Sequence, residues 1–233
     1  MRRALLAAPA VGLVLLALPV SAGATNECRG LDVCITVPGP WVAVPAAQAG
    51  GASTVLYQVT CPKRSVAGGL DAILGDPTLE VRWLGLLGSP INPGISTKRS
   101  VVFQAVSARA RPTAFRPVVG SIPTSGGGGR ATTAYTAAKP KPLQRRFHTV
   151  SVRGTQPVGV ITACASGEHL AGVTYAVGFR TRLQPSPAVL GGVNVNLRRQ
   201  GGRSVATVQR TFAVPLAMRV LLQVQLLCAR GAP

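Results

Sequence analysis

Of 233 residues, 47% are hydrophobic, so the chain can bury a core and is excluded from the compositionally disordered class. Lys and Arg number 25 against 6 Asp and Glu, a net charge of +19 that calls for anionic partners. Aromatics at 4% are too few for a base-stacking platform and no nucleic-acid module motif occurs, so an anionic wall polymer or a membrane surface fits the charge better than nucleic acid.

In chain order, Arg2-Arg3 is followed by an uncharged apolar run from Leu5 to Val20, then by small residues at Ala22 and Ala24. This is the layout of a secretory signal peptide, residues 1–24, cleaved before Thr25. Its run, broken by Pro9 and Pro19, falls short of the ~20 residues that span a bilayer. Cys28 and Cys34 flank Arg29–Val33, and a local bridge there ties down the mature N-terminus.

Period-two alternation, β-branched residues and Gly/Pro punctuation then predict strands over 41–45, 54–60, 66–74, 79–87 and 100–109. Four consecutive glycines and Lys139-Pro140-Lys141-Pro142 mark a linker or long loop over 122–146. Further strands are predicted over 148–153, 158–165, 170–179, 190–199, 204–214 and 218–228, and outside the signal peptide no window of 12 or more residues keeps helical spacing. The expected fold is all-β: two tandem antiparallel β-sandwich-like units, 25–121 and 147–233, after the signal-peptide helix.

The stretch from Val66 to Val106 aligns without a gap to Leu170–Arg210 at an offset of 104, with ten of 41 positions identical, among them Ala67-Gly68 with Ala171-Gly172. A tandem duplication accounts for this; two stretches of biased all-β sequence are the competing account. In either case a Gly inside a strand-like run marks a bulge or a close backbone approach.

Cys61-Pro62, Val66, Gly68 and Gly69 also match the Cys-Pro-x-Gly-x-x-Val-x-Gly-Gly opening of uncharacterised secreted bacterial β-rich proteins, departing at Arg64. The chain resembles that group over about ten residues. The resemblance implies a secreted β fold and brings no activity with it.

Five cysteines leave at least one without an intramolecular partner. Cys164 and Cys228 end two predicted strands of one unit and are expected to bridge. Carried back by the offset, Cys228 lands at Thr124, with Ser121 nearby and no Cys, so Cys61 is the expected free thiol. The competing connectivity joins Cys61 to Cys164 and leaves Cys228 free.

No residue set reads as catalytic, cofactor-binding or metal-ligating. His148 and His169 lack a Gly-x-Ser-x-Gly nucleophile signature, Asp71 and Glu80 read as turn or edge residues, and Glu168-His169 lacks a second His. The elaborate loop over 87–100 is the surface nominated for binding, with Asn92, Lys98 and Arg99, together with the repeat mate Arg203. The expected function is a secreted non-enzymatic module, structural or binding, of the envelope or extracellular space. Its rivals are a basic polyanion-binding effector or adhesin, and a hydrolase with an unrecognised carboxylate or His site. A solvated basic surface also explains the charge, since 21 of the 25 bases are Arg.

Overall fold

The computed structural model describes residues 35–84, 99–123 and 143–230. The expected signal peptide (1–24), the Cys28–Cys34 bridge and the nominated Asn92 and Lys98 lie outside these residues. The described chain is nearly all β, in antiparallel sheets. No helix among the described residues is long and apolar enough to cross a membrane.

The strands are β1 (Ile35–Pro38), β2 (Trp41–Val44), β3 (Ser53–Thr60), β4 (Ser65–Leu74), β5 (Glu80–Leu84), β6 (Ser100–Ser107) and β7 (Thr113–Pro123). They continue with β8 (Leu143–Val152), β9 (Val158–Ala163), β10 (Glu168–Arg180), β11 (Val193–Gln200), β12 (Arg203–Arg210) and β13 (Arg219–Arg230). A single helical turn, α1 (Pro187–Leu190), precedes β11.

Three sheets form. The largest has seven strands: β7 carries β4 along one edge and β1 and β2 end to end along the other, and β2 leads on to β10, β13 and β8. Both halves of the chain therefore meet in one sheet, at a seam of two residue pairs, Val42 with Gly178 and Trp41 with Phe179. The two smaller sheets, β3-β6-β5 and β9-β12-β11, have the same connectivity, each with its last strand in the middle.

Burial follows from this stacking. Trp41 and Ala43 join the core beneath β9-β12-β11, whereas Val42 and Val44 join the core beneath β3-β6-β5. The uninterrupted apolar run Trp41–Val44 is thus covered on both faces, which is why it lacks the alternation of its neighbours. Elsewhere one face packs and the other is wet, as in β11, where Val193, Val195 and Leu197 alternate with exposed Asn194, Asn196 and Arg198.

Several sequence expectations change. Strand β7 is central to its half yet was not predicted, because Pro112, Pro117 and Pro123 read as breakers. Pro117 is tolerated because its carbonyl, and so its missing N–H, faces the break between β1 and β2, where it accepts a bond from Gly39 at 2.7 Å. Gly39 has no room for a side chain there: a Cβ would stand 2.7 Å from Pro117 Cγ. Strand β7 runs to Pro123 and β8 starts at Leu143, so both enter the segment 122–146 read as a linker. The strand expected over 204–214 stops at Arg210, and 211–217 forms a loop.

The gapless alignment is also corrected. Glu80 pairs with Val106, whereas Val193 pairs with Arg210, the residue 104 beyond Val106. Strand β11 therefore stands where β5 does at an offset of 113, and the extra nine residues fall within the connection holding α1. The ladder slips register near the Ala-Gly site in each half but not at matching residues: Gly69 is left unpaired on β4 and Ala171 on β10, an offset of 102 rather than 104.

Candidate functional site

An apolar concavity lies where the two smaller sheets straddle the seam. Beyond Val44 the chain turns away at Pro45, so β2 leaves the upper part of β10 without it. Strand β10 lends Val173, Thr174 and Tyr175, β11 lends Val195 and Leu197, and β3 lends Thr54 and Val55. This hollow of about 720 Å³ adjoins a second of about 200 Å³ floored by Ala43, Val177 and Leu190, and Pro45, Val55 and Tyr175 line both.

Local geometry fixes these walls. Ser186 caps α1, accepting a bond from the Val189 N–H, and the turn plants Leu190 in the core. Gly192 lets β11 start close against the following loop, since a Cβ there would stand 2.7 Å from Val214 Cγ2. On β10, the Thr174 hydroxyl donates to Gln225 Oε1 at 3.2 Å. Tyr175 is 38% exposed, an aromatic ring left half uncovered over apolar neighbours.

The lining of the cleft is apolar, with a few uncharged polar groups. Among the described residues no carboxylate, imidazole, thiol, ammonium or guanidinium lines either hollow; the polar groups are Thr54, Thr174, Asn196, the Tyr175 phenol and backbone. A polar hollow of about 290 Å³ lies below it, where Gln223 spans the halves. The Gln58 N–H donates to Gln223 Oε1 at 2.6 Å, and Gln223 Nε2 donates to Gln58 O at 3.1 Å and Thr149 Oγ1 at 3.0 Å. Tyr57 beside it is buried, which pushes its phenol up to about 12 against the opposing pull of Arg180, so it stays neutral.

The residues nominated from sequence stand elsewhere. Arg99 Nε donates to Cys61 O at 2.7 Å and the Cys61 N–H returns a bond to Arg99 O at 2.9 Å, so Arg99 ties the end of β3 to β6. Arg203 sits at the β11–β12 hairpin beside the exposed Ile161, in a different sheet from Arg99. Asp71 lies on β4 and Glu80 on β5, where it pairs with Arg82 at 2.6 Å. His148 and His169 lie on β8 and β10, separated by β13.

Cys164 and Cys228 form a disulfide with a Cα separation of 5.7 Å. Among the described residues Cys61 is the one free cysteine, and it is buried. Glu168 lies within 4.8 Å of the bridged sulfurs, but sulfurs joined to each other are not thiolate ligands. Its carboxylate is instead gripped by Arg146 at 2.8 Å, which holds it below the usual carboxylate range. No protein-family model, curated protein or solved structure matches the chain.

Proposed function

We propose that the chain is exported by residues 1–24 and acts outside the cytoplasm as a non-enzymatic β-sandwich module that holds an extended apolar ligand in the cleft at the seam. The observation that carries this reading is the lining: Val, Leu, Pro and Tyr surfaces with two threonines and an asparagine. Such a surface removes apolar area from water and orients a guest with a few polar contacts. General acid–base or nucleophilic hydrolysis needs a titratable group within reach of the substrate. Asp71, Glu80, His148 and His169 line none of the three hollows described.

Titration of an apolar fluorescent dye tests the cleft. Saturable binding to the parent protein is expected, weakened at least about tenfold by Val195→Glu, which sets a charge among apolar walls. Non-saturable binding, or indifference to that substitution, overturns the reading. Export is tested separately by N-terminal sequencing of the protein recovered outside the cytoplasm, which is expected to begin at Thr25.

We also infer that the two halves descend from one duplicated unit. The like connectivity of the small sheets supports it, as does a register slip in the first half of both β4 and β10, though two residues apart from the aligned offset. A third support is the neighbour of Cys61: Ser121 lies beside it on β7, as Cys228 on β13 lies beside Cys164.

A further inference from the structure

We propose that one end of the second half, formed by residues 153–157, 181–186 and 211–218, docks shallowly on an anionic lipid bilayer. The proposal is independent of the cleft reading. Phe212 is 97% exposed, Leu183 80% and Leu216 73%, the three most exposed large apolar side chains among the described residues. Single exposed apolar residues are ordinary, but three at one end of a sandwich are not.

The loop that carries two of them is braced. Between Phe212 and Leu216, Val214 is only 2% exposed and plugs into the core. The Val214 N–H donates to Thr211 O at 3.2 Å, the Ala213 N–H to Thr211 Oγ1 at 3.3 Å and the Met218 N–H to Pro215 O at 2.9 Å. Thr211 is itself tied to Gly192 O through both its N–H and its hydroxyl. Beneath the loop the buried Arg210 donates from Nη2 to the carbonyls of Val214 and Pro215. Phe212 and Leu216 are therefore held outward on a shaped loop, and insertion into an apolar phase requires little further ordering.

Charge selects the phase. Arg180 pairs with Arg219 at the ends of β10 and β13, Arg153 follows β8, whose Val152 pairs with Val220, and Arg182 follows β10. All four arginines are exposed, and residues 153–157, 181–192 and 211–218 contain no Asp or Glu. The one described acid of this half, Glu168, pairs with Arg230 at the opposite end of β10. An anionic bilayer offers phosphates for these guanidinium groups and an acyl boundary for Phe212 and Leu216. A wall polymer offers the charge without an apolar phase.

The test places a reporter at the contact. In the full chain carrying Phe212→Trp, difference emission against the parent is recorded with phosphatidylcholine vesicles, with and without phosphatidylglycerol. A blue shift is expected with the anionic vesicles only, reversed by added salt. The double substitution Phe212→Ser and Leu216→Ser is expected to weaken cosedimentation with those vesicles by about tenfold or more. Binding through another segment, such as residues 5–20, leaves Trp emission at 212 unshifted and overturns the proposal. So does an equal shift with purely zwitterionic vesicles, or the same shift produced by soluble polyphosphate or wall polymer alone.

Discussion

Gln223 joins the two halves through a side chain used as a piece of backbone. It is 4% exposed, and its amide bonds both the N–H and the C=O of Gln58, an interaction a neighbouring strand would otherwise make. Gln223→Leu leaves those two groups unpaired beneath a buried side chain, so a loss of about 2–4 kcal/mol is expected in urea unfolding. Glu168 and Asp76 dictate the acid response. Arg146 holds Glu168 below the ordinary carboxylate range, and Thr78, with Arg109 assisting, does so for Asp76. A folded pKa below the unfolded one stabilises fully above the unfolded value, about 4. Stability is therefore expected to be level near neutrality and to fall below about pH 4 as each folded carboxyl protonates. In Glu168→Gln the fall should be shallower in thermal melts taken across that range. Cys164 and Cys228 were legible because each closes an alternating run. Gln223 was not: within Val220–Leu226 it reads as one polar step of a strand, and nothing local names its partner 165 residues away.

At the scale of elements, alternation revealed β11 and β13, and proline hid β7. A proline inside a strand is a breaker only if its missing donor faces a neighbour, and Pro117 faces a gap that lies in another part of the sequence. The start of β8 was hidden as well, because Arg145-Arg146 beside the Lys-Pro pairs reads as a solvated linker. Strand β7 also bears the most direct test of kinship between the halves. Burial pushes the Cys61 thiol up, and the Ser121 hydroxyl beside it pulls the other way. Native Cys61 should resist alkylation until denaturant is added. Ser121→Cys is expected to bridge to Cys61 spontaneously in air, slowing unfolding and raising stability by roughly 3–4 kcal/mol in the chain-entropy model. Non-reducing peptide mapping reads the bridge; two free thiols after oxidation would show that the geometry of Cys164 and Cys228 is not repeated.

For the whole molecule, composition and punctuation announced sandwich-like units, but not that one sheet runs through both halves. The seam amounts to two residue pairs, too short to leave a periodic signature, and the cleft beside it collects side chains from β3, β10 and β11. Trp41 and Val42 feed opposite cores from adjacent positions. Calorimetry is accordingly expected to give one unfolding transition, and Trp41→Ala to lower it as a unit by about 3–5 kcal/mol. Two separated transitions, with only one displaced by the substitution, would mean that the halves unfold independently.

The seam also has a consequence for the order in which the structure is made. Trp41 meets Phe179, so a chain growing from its N-terminus must extend 138 residues past Trp41 before the residue that completes its edge exists. Until then β2 has only β7 beside it, itself about 70 residues downstream, and the side of β2 that will receive β10 stays open. Few early contacts repay the entropy of closing such long loops, so folding should be slow and should begin late. During that wait Trp41–Val44, apolar toward both faces, is the stretch most in need of protection from other chains.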